Sequence, residues 1–384
     1  MSFRPRPSGS SRTLLRSLGE MCRPHLETGA RQTKADHYVK EYDSAGFGMA
    51  FVCFMLLRLS SLRELDTSLQ DDQQVRRAVG WDGNISISQL IKLQHRRPPA
   101  LWEPLVAALM TRLGKHQMPS RLRVMDTSFF TMGLKLLSRH HEKKMTASTA
   151  GFKLGLVLDP ECGTPLRLCS NVGQGTDTAQ LDALVPPDQE DIAGLIFLFD
   201  RGFRKYKFFD SLIQREAHFV TRATAMVKYK VLEELPLDPQ HPQITADWVV
   251  RLGSSNGHNL MKHTVRMIRL ETDTETFVFL SSLGDLTAWE VTEVYRRRWE
   301  IEVFFRWLKR AVGCLKPTGY SLTAAQHCFY AALVVYLITL LIAKTELNRK
   351  TGRIRRCITP ALHRLRANLY QVPKDEDLQA LEFL

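Results

Sequence analysis

The chain has 384 residues, 44% hydrophobic and 24% charged, with 53 Lys and Arg against 40 Asp and Glu, a formal net charge of +13. Its length and apolar content suffice for a sizeable core in two or three structural units, which excludes a wholly disordered protein. The basic excess is local: residues 1–35 carry seven basic and two acidic side chains, 296–310 six and two, and 349–366 seven and none. Charge concentrated in this way suits a polyanion, most simply nucleic acid.

Residues 1–35 are Arg- and Ser-rich without an apolar signal core, and read as a basic disordered arm rather than a secretory leader. Residues 36–118 read as a helical N-terminal domain. Phe47 to Leu59 is densely apolar, Ser60-Ser61-Leu62-Arg63-Glu64 has a capping pattern, and Met118-Pro119-Ser120 breaks the run.

From Leu122 the pattern changes to strands. Leu122–Asp126 is a short strand; Gly151–Asp159 and Thr164–Ser170 flank a Pro/Gly turn as a hairpin; Leu195–Phe199 has the continuous apolar run of a strand covered on both faces. Arg204–Ala217 reads as an amphipathic helix, His218–Thr221 as a strand, and 223–276 as a β-rich insertion. Thr287-Ala288-Trp289-Glu290 is a capping box that opens a single long helix ending at Gly313. The apolar run Cys328–Ala343 is short for a membrane span and reads as a buried helix. The order of elements predicts an α/β core with an insertion: 119–222 and 277–345 as its two parts, and 346–384 as a basic C-terminal tail or helix.

The long helix carries Tyr295, Arg298, Glu302 and Lys309, which at helical spacing fall within about 60° on one stripe. A separate apolar stripe holds Val294, Ile301, Phe305, Leu308 and Val312. Upstream, Asp126 ends the strand Val124-Met125 and Asp200 follows Leu195–Phe199, at the carboxyl ends of strands where open α/β sheets form ligand sites. Three carboxylates brought together need protonation or cations. Hard oxygen donors with open water positions suit two Mg²⁺ or Mn²⁺ ions and in-line phosphoryl transfer. Arg298 and Lys309 would then hold DNA phosphates. Either aspartate alone is equally a turn or cap residue.

The spacing Y-(2)-R-(3)-E-(6)-K, in YRRRWEIEVFFRWLK, with Asp126 and with Asp200 in DRGF, resembles the insertion-sequence 4 family of bacterial DDE transposases. Ser61–Leu65 resembles the N-terminal region of the same proteins, so the resemblance covers roughly residues 36–345. It implies an RNase H-like core, a mixed sheet with flanking helices, interrupted by a β-strand insertion and preceded by a helical DNA-binding domain. It also implies that Asp126, Asp200 and Glu302 bind the metal ions, and that Tyr295, Arg298 and Lys309 contact transposon-end DNA. Some members form a hairpin on the transposon end and stack an aromatic on a flipped base, for which Trp248 and Trp299 are candidates. The implied partners are double-stranded DNA and a second copy of the chain in a synaptic homodimer, in the bacterial cytoplasm.

Two other readings stay open: a structure-selective nuclease on the same core, and an inactive or domesticated relative that only binds DNA. The seven cysteines, an odd count without a C-x-x-C pair, read as reduced thiols. There is no P-loop, dinucleotide fingerprint or H-E-x-x-H. His140-His141, among Arg139, Lys143 and Lys144, reads as a solvated or DNA-facing patch.

Overall fold

The structure is a computed structural model that describes residues 13–37, 39, 41–115, 120–131, 151–172, 177–187, 191–223, 227–253, 260–313, 318, 321–347 and 354–373. The patch around His140 and the first twelve residues lie outside this set. The chain divides into two compact units. One draws on Met1–Met118, Phe130–Gly151 and Phe305–Leu384, the other on Pro119–Phe129 and Phe152–Phe304.

The first unit begins with α1 (Leu14–Thr33), capped by Thr13. Residues 14–33 are therefore not part of a disordered arm. Behind the arginines lies an apolar stripe, Leu14, Leu15, Leu18, Cys22 and Leu26, that is fully buried. Leu14 and Leu15 also donate backbone hydrogen bonds to Gln371 and Leu369 at 2.9 Å. Next comes α2 (Ser44–Leu56), apolar all round and buried at every position. Then follow α3 (Leu62–Asp71), whose cap Ser61 accepts from Glu64 N, α4 (Gln73–Val79), α5 (Ile87–Arg96) and α6 (Glu103–Lys115).

The second unit holds a nine-stranded sheet. Its strands are β1 (Leu122–Thr131), β2 (Gly151–Asp159), β3 (Thr164–Val172), β4 (Ile196–Phe199), β5 (His218–Arg222), β6 (Tyr229–Glu234), β7 (Ile244–Leu252), β8 (Val265–Glu271) and β9 (Thr276–Ser281), in the order β3-β2-β1-β4-β5-β9-β8-β7-β6. β1, β4 and β5 run parallel; β9 pairs antiparallel with β5 and carries β8, β7 and β6 outward as a meander. The β-rich stretch after residue 223 thus extends the sheet rather than forming a separate layer. The short α7 (Leu181–Leu184) and α8 (Tyr206–Gln214) cover an aromatic core built on Phe197, Phe199, Phe203, Phe209 and Phe219.

The expected long helix is interrupted. α9 (Ala288–Arg296) opens with the capping box of Thr287 and Glu290, and α10 spans Trp299–Trp307. Between them, Arg297 N and Arg298 N donate to Val294 O and Tyr295 O, and Glu300 N and Ile301 N to Arg297 O and Arg298 O. These i→i−3 bonds replace the α-helical ladder for one turn and move the axis. A π-turn, Leu308–Val312, follows α10 and ends at Gly313, whose φ of 91° favours glycine.

Two helices complete the first unit. α11 (Leu322–Leu347) has the length and hydropathy of a membrane span, yet 89% of its apolar window is buried within the protein, against α2, α6 and α12 (Ile354–Asn368). On α12, Arg366 does not face solvent as a basic tail would. It donates to Met55 O and Leu56 O at the end of α2 and to Ala311 O of the π-turn.

Candidate active site

The sheet register sets two of the carboxylates side by side. Met125 of β1 lies opposite Phe199 of β4, so Asp126 and Asp200 are the next residues along two adjacent parallel strands, whose backbones are about 5 Å apart. Contrary to expectation β1 does not stop at Asp126; it continues to Thr131, and only its pairing with β4 ends there. The apolar residues just before the aspartates, Val124, Met125, Leu198 and Phe199, are completely buried and fix the strand ends. After Asp200 the chain turns, with Phe203 N bonded to Asp200 O at 3.0 Å. Phe203 is buried 5.9 Å from the Phe199 ring, which anchors the DRGF turn.

Glu302 lies in the first turn of α10, and Arg298 at the break before it. The Arg298 guanidinium donates to Glu302 Oε1 at 2.5 Å and lies 4.0 Å from Asp126 Oδ2. Asp200 is close enough to act electrostatically on both Arg298 and Tyr295. Burial works against the Arg298 charge, but Tyr295, the bond to Glu302 and the charges of Asp200 and Glu302 outweigh it and raise its pKa. So Asp126 and Glu302, 176 positions apart in sequence, pair with one guanidinium, and Asp200, next to Asp126 across the sheet, adds its charge to the same surroundings.

Tyr295 is 8% exposed and packed 5.1 Å from Phe279; among the described residues its hydroxyl has no well-formed hydrogen bond, although the Arg298 guanidinium lies close enough to favour its charged form. Burial first of all, with Asp200 adding to it, pushes the phenol up to about 12 against the opposing effect of Arg298 and Arg222. Arg297 pairs with Glu161 of the β2–β3 turn at 2.5 Å and holds the break against the sheet.

The straight-helix stripe does not extend to Lys309. It lies in the π-turn, where α-helical phase no longer applies, and in the first unit its ammonium sits 4.9 Å from the Phe130 ring. Trp299 is 46% exposed at the start of α10. Trp248 of β7 is half-buried, stacked on Tyr229 with ring centroids 6.3 Å apart.

One group escaped sequence reasoning. Thr221 of β5 lies opposite Phe199, so Arg222 continues the row of Asp126 and Asp200 onto a third strand. Its guanidinium rests 4.6 Å over Phe277. With Phe279, Trp289, Tyr295 and Arg296 these two residues line a cleft of about 250 Å³. No local motif announces Arg222; only strand register brings it there.

The donor set is all oxygen, which matches a hard divalent cation. Two of the three carboxylates already hold a cation in common, the Arg298 guanidinium, so positive charge is favoured at this place. Among the described residues no group of three or more Asp, Glu, His or Cys side chains is gathered tightly enough to hold a metal ion, with Arg298 between Asp126 and Glu302. The donor chemistry fits such an ion, while the arrangement has Arg298 paired with two of the three carboxylates.

Carboxylates at the carboxyl ends of adjacent parallel strands, beside a helix that brings a third, define an α/β protein with an acidic site at the carboxyl end of its central strands. The family model described as "Transposase DDE domain" matches residues 118–338, more than half of the chain, and spans all three carboxylates. The chain belongs to this DDE transposase family, whose members transpose DNA and generally use divalent metal ions. It is 26% identical over 267 residues to "Putative transposase y4zB" of Sinorhizobium fredii, covering 68% of this chain and 72% of the relative. It is 22% identical over 249 residues to "Probable transposase for insertion sequence element IS5377" of Geobacillus stearothermophilus, covering 63% of each. A cryo-EM structure of the piggyBac transposase synaptic complex with hairpin DNA aligns at a TM-score of 0.47 and 10% identity, over 96% of this chain and 84% of that one.

Proposed function

We propose that the chain is the DNA transposase of a bacterial insertion sequence, of the insertion-sequence 4 type that its Y-(2)-R-(3)-E-(6)-K segment resembles, on an RNase H-like core. It binds the terminal inverted repeats as a homodimer, hydrolyses the ends and joins the freed 3′-OH groups to target DNA, in the bacterial cytoplasm. The observation that carries this reading is that Asp126 and Asp200 follow paired positions on adjacent parallel strands, with Asp126 and Glu302 brought to one guanidinium, that of Arg298.

Asp126, Asp200 and Glu302 would hold two Mg²⁺ or Mn²⁺ ions, which when bound activate the attacking oxygen and stabilise the leaving one. Arg298 balances the carboxylates while the protein is free, which prevents three negative charges from repelling one another. On binding DNA it turns to a phosphate of the transposon end, for which its planar fork is suited. Tyr295 adds a polar contact beside Arg298, and Lys309 of the other unit contacts DNA on its own account. Trp299, exposed and next to Arg298, is better placed than Trp248 to stack on an unpaired base.

The test is Mg²⁺-dependent cleavage of DNA from either side of the chain's own coding sequence, by wild type and Glu302→Gln. Cutting at a fixed end by wild type alone supports the reading, and the product ends report whether a hairpin intervenes. Binding without cutting by either protein would replace it with the inactive, DNA-binding relative.

A further inference from the structure

The helix α5 has two unlike faces. Its inner face is fixed. Leu90 is fully buried, Gln94 is 1% exposed and bonded to Thr318, and the next residue, Arg97, is buried with ties to Asp36 (3.2 Å) and Tyr42 O (2.9 Å). Its outer face consists of Ser88, Ile91, Lys92, His95 and Arg96, all exposed and spaced i, i+3, i+4, i+7, i+8. No acidic residue occurs from Gly83 to Trp102, and no ion pair is formed by Lys92, His95 or Arg96 among the described residues. At the centre of this cationic face Ile91 is 39% exposed. The helix is held from behind by α3 and α11 and opens with a complete capping box at Ser86 and Gln89.

We infer that α5 is the base-reading helix of the N-terminal unit, laid in the major groove of double-stranded DNA. The charge complementarity selects this occupant: a face with cations and no acid attracts the phosphate-flanked groove of a polyanion and repels a second copy of the same cationic face. Ten residues of α-helix make a rod about 15 Å long, which the roughly 12 Å wide major groove admits. Arg96 and Lys92 supply the donors that guanine O6 and N7 accept, and Ile91 supplies an apolar contact for a thymine methyl. The rigid inner face matters because base contacts discriminate only when the helix cannot shift to accommodate a wrong pair. The cleft beside α4 differs from the outer face of α5: Arg76 and Arg77 line it together with the acids Glu20 and Asp82, and Arg16 is already paired with Glu20 at 2.9 Å.

The inference rests on the proposed DNA transposase reading. Its test uses the full chain and duplexes that tile the DNA on both sides of its coding sequence, with an unrelated duplex of equal length as reference. Binding is read by fluorescence anisotropy at fixed salt. Wild type should prefer one tile, and Lys92→Gln, Arg96→Gln and Ile91→Ala should each reduce that preference, by about 10-fold for Arg96. A preference that survives all three substitutions while wild type still selects its tile overturns the role of α5 and leaves the transposase reading intact. An equal loss on both duplexes would make α5 a phosphate contact and also overturn base reading. If wild type selects no tile, the end-binding reading itself falls. Methylation of guanine N7 in the preferred tile checks the same point without any variant: it should abolish the preference if a major-groove helix reads it, and unchanged binding would exclude this.

Discussion

Arg298 and Glu302 form a 2.5 Å ion pair across the break between α9 and α10, with the far side of the same guanidinium 4.0 Å from Asp126. The pair is intrahelical by spacing, but its position at the interrupted turn makes it part of the carboxylate cluster rather than a surface decoration. In the proposed reaction the carboxylates that this guanidinium pairs with are the ones that would hold a divalent cation.

Removing it should therefore have opposite effects with and without metal. In chelator, Arg298→Ala leaves Asp126 and Glu302 without their shared cation, and the protein should lose about 1–3 kcal/mol of stability. Saturating Mg²⁺ should recover most of that loss, because a ligand that binds only the folded state stabilises it by mass action. Thermal unfolding of wild type and variant, each with EDTA and with Mg²⁺, measures both. Equal metal-dependent shifts in the two proteins would show that Arg298 and the ion do not compete.

Tyr295→Phe separates substrate contact from packing. Among the described residues the hydroxyl is buried without a well-formed hydrogen bond, so its removal relieves a poorly met polar group while the ring still packs on Phe279. The melting temperature should stay the same or rise, while binding to transposon-end DNA weakens by several-fold. A variant that unfolds more easily and binds normally would reverse this assignment.

His327 makes the stability of the helical unit sensitive to acid. It is completely buried, accepts a hydrogen bond from Trp102 Nε1 at 2.9 Å on Nδ1, and lies 3.1 Å from Arg97 O through Nε2. Burial lowers its pKa to about 4, below the unfolded value of 6.5. The unfolded chain then binds a proton that the folded one refuses. The stability due to this residue is fully present above pH 6.5 and is lost as pH falls from 6.5 towards 4, by about 3 kcal/mol in all. Denaturant titrations at pH 7.5 and 4.5, repeated for His327→Gln, should show a steep acid dependence in wild type that is smaller in the variant.

Much of this was legible from residue order alone. Leu195–Phe199 and Gly151–Asp159 declare themselves as strands by apolar runs, and Thr287 with Glu290 declares a helix start. The two aspartates could be placed at strand ends because the polar residue after an apolar run is where burial stops. Other features were hidden for physical reasons. β6, with exposed Lys230, Glu233 and Glu234, is an edge strand that buries no face and so has no pattern to read. The interruption at Arg297 consists of i→i−3 bonds, which preserve apolar spacing and leave no Gly or Pro as a marker. Arg222 joined the site only through the register of three strands, and α1 was masked by arginines that sit opposite its apolar stripe.

That stripe makes a further demand on two glycines. A Cβ at Gly29 would lie 2.0 Å from Leu101 O, and one at Gly19 would lie 2.4 Å from Ala78 O, both backbone atoms that cannot turn aside. Neither glycine has a positive φ, so the requirement is one of close approach: α1 packs against Leu101 and against α4 at distances that only a hydrogen side chain permits. Alanine normally favours a helix by about 1 kcal/mol over glycine. Here Gly29→Ala should instead cost about 2–3 kcal/mol, as overpacking against a fixed backbone does. Gly114→Ala in α6, where nothing lies within 4 Å of the added atom, provides the internal control and should be neutral or stabilising. If chemical denaturation ranks the two alanine variants the other way, the N-terminal segment is not docked as α1, and residues 14–33 revert to the solvated arm that their charge suggests.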